Sequence, residues 1–546
     1  MKEYYKYFKN YIGLLVIFFA LTIFNWIISF IQPIFLNKFI DALIAKDSKV
    51  HMFIIDIIVL GIFSIIIGYV LEQVSVYLIN NISFKYILFI IEHYHKSVLE
   101  KANQFSPVYL SQRIKNDVAI LIQFYIKDVL NLILNIICLF VSCFLLIHME
   151  TIFIYLILLF IPFYFLMYVL IKTPLYKASY NAKNTDDKFT ETLTNQVSLI
   201  KLIKIKGTFI NSSTHLKESF NTMYQAVKKY SIIAYLFSSI DNIITVCFQA
   251  IVFFILSNKV INNQLSVGNF ILINTYFNFI MNSIKYFIDF YSTYQNMYVS
   301  KNRINEILDI NLENNGYKVL DYIDSIQLKN LSFSYKDAIG KRKVLDNVNL
   351  SFSKNNLYVI KGRNGTGKST LFNIILGLYI DSIDSGVITY NNYSISLLDM
   401  YKIRNEYIGF IEQNNISSNQ TVFEYLLGNS NYHNYCREEV LGIFSKLIDK
   451  YDYGNFFKDD EFNLNNVMNK KVATLSGGQQ QKIKIFRELI KCPEVMFFDE
   501  PTTALDQKSI HQFKSMINNI KKDKIILLIS HNNFFDDITD EEILLD

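Results

Sequence analysis

Of nine consecutive residues, Gly362, Arg363, Asn364, Gly365, Thr366, Gly367, Lys368, Ser369 and Thr370, the first eight fit G-x-x-x-x-G-K-[ST] in full. Their types follow from the chemistry of holding a polyphosphate. Its oxygens must be met at close range by backbone N–H groups, so Gly362, Gly365 and Gly367 leave no side chain in the way. Lys368 supplies a point charge for the outer phosphates, and Ser369 a hydroxyl that can ligate Mg²⁺. The helix that starts here turns its positive end toward the anion. The apolar, strand-like run Leu357 to Ile360 precedes the loop, and Leu371 to Leu378 follows with the length and apolarity of a helix. That is the context the motif requires, although by itself the loop licenses only nucleoside triphosphate binding, with a chance Gly-rich turn as the alternative.

Other residues able to do chemistry follow it. Ser476, Gly477 and Gly478, ahead of Gln479, form a second turn rich in glycine and donors before a helix, suited to an anion by the same logic. Asp499 ends the apolar run Val495 to Phe498, where a carboxylate can hold Mg²⁺ directly or through water, and Glu500 stands beside it. Gln413 follows Ile408 to Ile411, and His531 follows Ile525 to Ile529. These apolar runs, separated by helical stretches, predict an α/β core.

The elements before this core are of another kind. Over 546 residues the hydrophobic fraction is 51% and the charged fraction 18%, against about 25% charged in ordinary soluble domains, which points to a membrane part. A net charge of +5 is small for this length and does not argue for nucleic acid. The five cysteines, Cys138, Cys143, Cys247, Cys436 and Cys492, have no metal-like or framework spacing and read as reduced, packed thiols.

Six apolar stretches are long enough to cross hydrocarbon: Tyr11 to Leu36, Phe53 to Ile79, Val129 to His148, Thr151 to Ile171, Ile232 to Leu256 and Gly268 to Asp289. The first is longer than a signal peptide's apolar core and reads as a retained span. The long connections after the second and fourth carry most of the Lys and Arg, and with Lys2, Lys6 and Lys9 they are expected on the cytoplasmic side. Few Gly or Pro interrupt them, so the spans are expected to continue as helices far into the cytoplasm, with short contact helices near Pro107 and near Ser198 to Thr208.

Polar residues within the spans form stripes. Asn274, Asn278, Asn282, Lys285 and Asp289 are spaced by 4, 4, 3 and 4, and Ser238, Asn242, Thr245 and Gln249 by 4, 3 and 4. Asn131, Asn135, Cys138 and Ser142 repeat the pattern, as do Thr22, Asn25, Ser29 and Gln32. Two readings stand: a wet substrate pathway, or hydrogen bonds across helix contacts. Lys285 also suits snorkelling toward an interface.

Taken in order, the phosphate loop, Leu475-Ser476-Gly477-Gly478-Gln479-Gln480-Gln481, Val495 to Pro501, Ala504-Leu505-Asp506 and Ser530-His531 resemble the ATP-binding cassette family. With six preceding spans the chain looks like an exporter-type half-transporter. The resemblance implies an α-helical membrane domain, six transmembrane helices with long cytoplasmic extensions, followed by an α/β P-loop ATPase domain. The expected boundaries are 1–310 for the membrane domain, 311–324 for a linker and 325–546 for the nucleotide-binding domain. It also implies that Tyr335 stacks on adenine, with packing as the alternative, and that Gln413 senses Mg²⁺. Glu500 is then the residue that polarises the attacking water, and His531 the switch at the γ-phosphate. Asp506 is carried over with the ATP-binding residues, and Ser476 to Gln479 close over ATP held by another chain.

The implied cofactors are ATP and Mg²⁺. The implied partners are a second half-transporter, expected to be an identical chain, the lipid bilayer and a transported substrate. The stretch Tyr109 to Val118 looks like that of bacterial peptide or bacteriocin exporters, so a peptide is the expected cargo, with lipid or drug export as the alternative. An importer on this architecture, or a nucleotide-gated regulatory subunit, stays open. Candidate pathway residues are Asn25, Gln32, Asn135, Asn242, Gln249, Asn274, Asn278, Asn282 and Lys285. Three departures stand out: Asn469 to Thr474 replaces the usual Glu-x-Gly before the signature, Thr503 replaces a Ser, and only fifteen residues follow His531. The usual closing hairpin and helix of the domain are therefore not expected, nor is an N-terminal peptidase domain, since the first span starts near Tyr11.

Overall fold

A computed structural model describes residues 8–105, 107–337, 340–413, 418–428, 437–450, 454–457 and 464–545. Lys2, Lys6 and Cys436, named above, lie outside them. The chain divides into two compact units: one runs to His95 and resumes over Phe105–Asp309, and the other takes Lys96–Gln104 and runs on from Ile310.

The first unit is all helix. It holds α1 (Ile12–Ile44), α2 (Val50–His95), α4 (Pro107–Gln123) running through a π turn (Phe124–Asp128) into α5 (Val129–Met149), α6 (Ile152–Ser198), the short α7 (Ile200–Lys206), α8 (Phe209–Ile261) and α9 (Val267–Leu308). The scarcity of Gly and Pro lets these helices run far beyond a bilayer. The 53 residues of α8 extend roughly 80 Å at 1.5 Å per residue. Among the described residues, Ile12–Ile44, Val50–His95, Arg113–Met149 and Phe209–Ile261 each carry an 18-residue window apolar enough to span hydrocarbon. The Asn, Lys and Asp stripe makes α9 more polar than these.

One short helix arises where it was expected: α7 falls within 198–208. The other does not. Pro107 is the first residue of α4, a position its fixed φ suits, and the short helix α3 (Leu99–Ala102) precedes it.

At one end of the unit, α1 and the start of α9 meet closely. The Asp41 carboxylate accepts from Gly268 N (2.8 Å) and Ser266 Oγ (2.7 Å), and Asn37 Nδ2 donates to Asn269 Oδ1 (3.0 Å). Gly268 permits the approach, because a Cβ there would lie 2.2 Å from Asn37 Oδ1 and 2.5 Å from the Asn37 carbonyl oxygen. Gly268→Ala is therefore expected to lower stability by about 1–3 kcal/mol. The check is a lower unfolding temperature for the chain in lipid discs, and an unchanged one would refute the close contact.

A buried ionic group joins α4 to α9. Asp117, 4% exposed, accepts from Ser300 Oγ at 2.8 Å. The Arg113 and Arg303 guanidiniums lie 3.9 and 4.0 Å from the same carboxylate. Arg113 also pairs with Glu306 and donates to the Arg303 carbonyl at 2.9 Å.

The second unit has two sheets. β1 (Ser325–Asp337), β2 (Gly340–Ser353), β4 (Ile383–Tyr390) and β5 (Tyr393–Ser394) make an antiparallel sheet in the order β2-β1-β4-β5. β3 (Asn356–Gly362), β6 (Ile408–Ile411), β7 (Val495–Asp499), β8 (Ile525–Ile529) and β9 (Glu541–Leu545) make a parallel one in the order β6-β7-β8-β3-β9. The central strands read as unbroken apolar runs because both faces are covered. Met496, Phe498, Ile526 and Leu528 enter one buried cluster, and Val495, Phe497, Ile525 and Leu527 the other.

Residues 311–324, expected as a linker, are folded into this unit. Leu320 and Ile323 are buried in its core, and Leu312 bridges to Ser97. Leu99, from α3, packs on the same core, and Ser382 Oγ donates to Glu100 Oε2 at 2.6 Å.

Candidate nucleotide site

The strand order accounts for the site. With β6, β7, β8 and β3 side by side and parallel, their carboxyl ends lie along one edge, where ligands of such sheets bind. That edge receives Gln413 after β6, Asp499 and Glu500 at β7, His531 beyond β8, and the phosphate loop after β3.

The loop leads into α10 (Lys368–Ile375), with Gly367 as its N-cap at φ 94°, a left-handed conformation that favours glycine. The Lys368 ammonium is held by the loop's own carbonyls, donating to Gly362 O and Arg363 O at 2.8 Å each. Thr366 Oγ1 donates to Arg363 O at 3.0 Å.

Ser369 Oγ donates to Asp499 Oδ2 at 3.0 Å. Burial pushes the Asp499 carboxyl above the usual carboxylate range, with the Ser369 hydrogen bond opposing it and Glu500 adding to it. Glu500 is gripped from two sides: Gln413 Nε2 donates to Oε2 at 2.8 Å, and His531 Nε2 lies 3.0 Å from Oε1. Its backbone, at φ 49° and directly before Pro501, sits in the left-handed region, which costs a non-glycine residue about 1–2 kcal/mol. Such outliers persist where the surroundings over-determine them, as at functional sites.

One cavity of about 530 Å³ gathers Tyr335, Asn364, Gly365, Gly367, Lys368, Ser369, Thr370, Gln413, Asp499, Glu500 and His531. Gly362 and Thr366 shape the loop without lining it. Arg342, Val344 and Ile529 line it as well, and no motif had singled them out. Tyr335 reaches it from β1, its hydroxyl 3.1 Å from Thr370 Oγ1 and its ring edge-on to Phe333 and Tyr379 at 5.0 and 5.8 Å.

The remaining candidates lie elsewhere. Asp506 does not line the cavity: it caps α12 (Gln507–Ile520), accepting from Ser509 N at 3.1 Å, and the Ser509 hydrogen bonds hold its carboxyl below the usual range. An Asp ahead of a helix suits that role. Ser476 to Gln479 also stand outside. Ser476 caps α11 (Gly477–Ile490) in a reciprocal pair with Gln479, each bond 3.3 Å. The segment before it pairs instead with the residues that follow Gln413: Val472 N donates to Gln420 O and Ala473 N to Ser418 O, at 3.0 and 3.1 Å.

Of the pathway candidates, Gln249 Nε2 donates toward Asn274 Oδ1 and Asn278 Oδ1 at 3.3 and 3.4 Å, so these three bond across a helix contact. Asn25 Oδ1 accepts from Ser64 Oγ at 2.9 Å, and Asn135 Nδ2 donates to Asn131 O at 2.8 Å. Gln32 and Lys285 are half-buried, and Asn242 and Asn282 are exposed.

Residues 15–284 match the family described as ABC transporter transmembrane region, and residues 345–503 the family described as ABC transporter. With both halves of the architecture matched, each on its own unit, the chain belongs to the ABC transporters. Its fold is that of the exporter type: it superposes on a bacterial Atm1-family ABC exporter with ATP bound at a TM-score of 0.82, with 16% identity over 99% of this chain and 94% of that one.

Relatives include the leukotoxin export ATP-binding protein of Aggregatibacter actinomycetemcomitans, 27% identical over 64% of this chain and 49% of the relative. Another is the alpha-hemolysin translocation ATP-binding protein of Escherichia coli, 29% identical over 50% and 38%. A third is a putative export ATP-binding/permease protein of Rickettsia typhi, 33% identical over 42% and 38%. The chain thus spans half or less of the length of these relatives.

Proposed function

We propose that two copies of this chain bind ATP between them and use its hydrolysis to export a peptide across the cytoplasmic membrane. The observation that carries the ATPase reading is Glu500, held by Gln413 and His531 at the edge of the cavity that also contains Lys368 and Ser369. A carboxylate so placed accepts a proton from the water that attacks the terminal phosphorus, while Lys368 and the loop N–H groups bear the charge of the outer phosphates. His531 and Gln413 fix the orientation of that carboxylate.

Ser369, Asp499 and Gln413 supply oxygen donors to the same cavity, the ligand type Mg²⁺ takes. Among the described residues no cluster of three or more His, Cys, Asp and Glu could cage a metal. The ion would therefore share its ligands with the nucleotide, where it supplies charge neutralisation. Ser476 to Gln479, standing outside the cavity of their own chain, are free to close over the ATP of a second one. Contacts made only in that closed pair are what allow ATP to shift a conformational equilibrium.

Polypeptide cargo is supported by the export and translocation of leukotoxin and alpha-hemolysin named for two relatives. The exposed polar groups Asn242 and Asn282 suit a hydrophilic or amphipathic cargo. The test is ATPase activity in lipid discs with peptides, lipids and drugs offered in parallel. Stimulation several-fold by peptides alone is expected, and stimulation confined to lipids or drugs would replace the cargo reading.

A further inference from the structure

On the wall of the cavity that carries Tyr335, Arg342 has no assigned role. In the β1–β2 ladder Tyr335 and Arg342 are direct partners. Residues opposed in this way share a face of the ribbon, with Cβ atoms about 5 Å apart, and both side chains line the cavity. Val344, at the irregularity where the register slips, lines the cavity too and reaches the phosphate loop: a Cβ on Gly367 would stand 2.5 Å from Val344 Cγ1. The ribbon therefore runs outward from the loop at Val344 to Arg342, two residues further along the strand. Arg342 lies at the end remote from the phosphates, beside the aromatic ring.

Charge separates it from its neighbours. Lys341 pairs with Asp384 at 3.4 Å and Lys343 with Asp346 at 2.5 Å, both on the alternate positions of the strand. Among the described residues Arg342 has no such ion pair, and its side chain lines the cavity.

We propose that Arg342 contacts the purine base of the bound nucleotide, its guanidinium and the Tyr335 ring forming two walls of one base slot. The proposal rests on the ATP reading above. A flat guanidinium stacks on a nucleobase and donates to its ring nitrogens, and the neighbouring ring is already fixed in orientation by Thr370, Phe333 and Tyr379.

The experiment measures dissociation constants of ATP and of inorganic tripolyphosphate, which has no base, on the full chain in lipid discs with Glu500→Gln present to prevent turnover. Arg342→Ala is expected to weaken ATP about fivefold or more and to leave tripolyphosphate unchanged, with Arg342→Lys in between because it keeps the charge but not the plane. Equal weakening of both ligands would make Arg342 a phosphate contact and overturn the proposal, as would unaltered ATP binding. Failure of the chain with native Arg342 to bind ATP would instead refute the underlying nucleotide reading, and the base slot with it.

Discussion

Glu500→Gln is expected to retain ATP binding and to lower steady-state hydrolysis by roughly 10²–10⁴-fold, the usual contribution of a positioned general base. The two side chains are nearly the same shape, so the grip of Gln413 and His531 on this position is largely kept, and the left-handed backbone at φ 49° is not disturbed. What is lost is the ability to take a proton. ATP binding by equilibrium dialysis and phosphate release on the same preparation make the comparison. Hydrolysis at the unaltered rate would remove Glu500 from the catalytic role, whereas loss of both readouts would mean the substitution had damaged the site.

Asp117→Leu is expected to destabilise the helical unit by about 1–3 kcal/mol. Two guanidiniums, of Arg113 and Arg303, stand near that carboxylate, and Arg113 is itself only 8% exposed. Removing the acid takes one of two carboxylates from Arg113, which keeps Glu306, and takes an acceptor from the buried Ser300 hydroxyl. The pair as such is worth little, because burying both charges sets a desolvation cost against their attraction. The double variant Asp117→Leu/Arg113→Met should therefore recover much of the loss, leaving the exposed Glu306 to water. Thermal unfolding of the single and double variants in lipid discs is the measurement, and an equal drop in both would show that packing, not the lost carboxylate, is responsible.

The catalytic edge was legible in the sequence because its residues sit within or just past short apolar runs that must be strands. Once β6, β7, β8 and β3 lie parallel, Gln413, Asp499, Glu500, His531 and the phosphate loop have nowhere else to be. Arg342 and Val344 were not legible, since they join the site only through the register of an antiparallel pair that contains irregularities.

Asp506 reads both ways in the sequence, because an Asp before a helix serves equally as cap and as ligand, and the structure shows the cap. Residues 311–324 read as a linker because their few apolar residues are interspersed with Asn, Asp, Glu and Lys, and only the folded core shows that Leu320 and Ile323 are buried. The polar stripes were visible as spacing. Which of their members bond to one another depended on helix packing, as Gln249 with Asn274 and Asn278 shows.

The nine residues Lys96–Gln104 have a consequence for synthesis. They belong to the second unit, where Ser97 bridges Leu312, Val98 N donates to Asn311 O at 3.0 Å and Leu99 packs on the core, yet they leave the ribosome before most of the helical unit exists. Their partners are made last. Contacts of such sequence separation form late and slowly, so during translation an apolar Leu99 waits, inserted between helices, for a domain still to be built. Folding of the nucleotide-binding unit thus ends with the capture of a segment displayed long before, and a fragment beginning at Ile310 would carry the empty receptor for it.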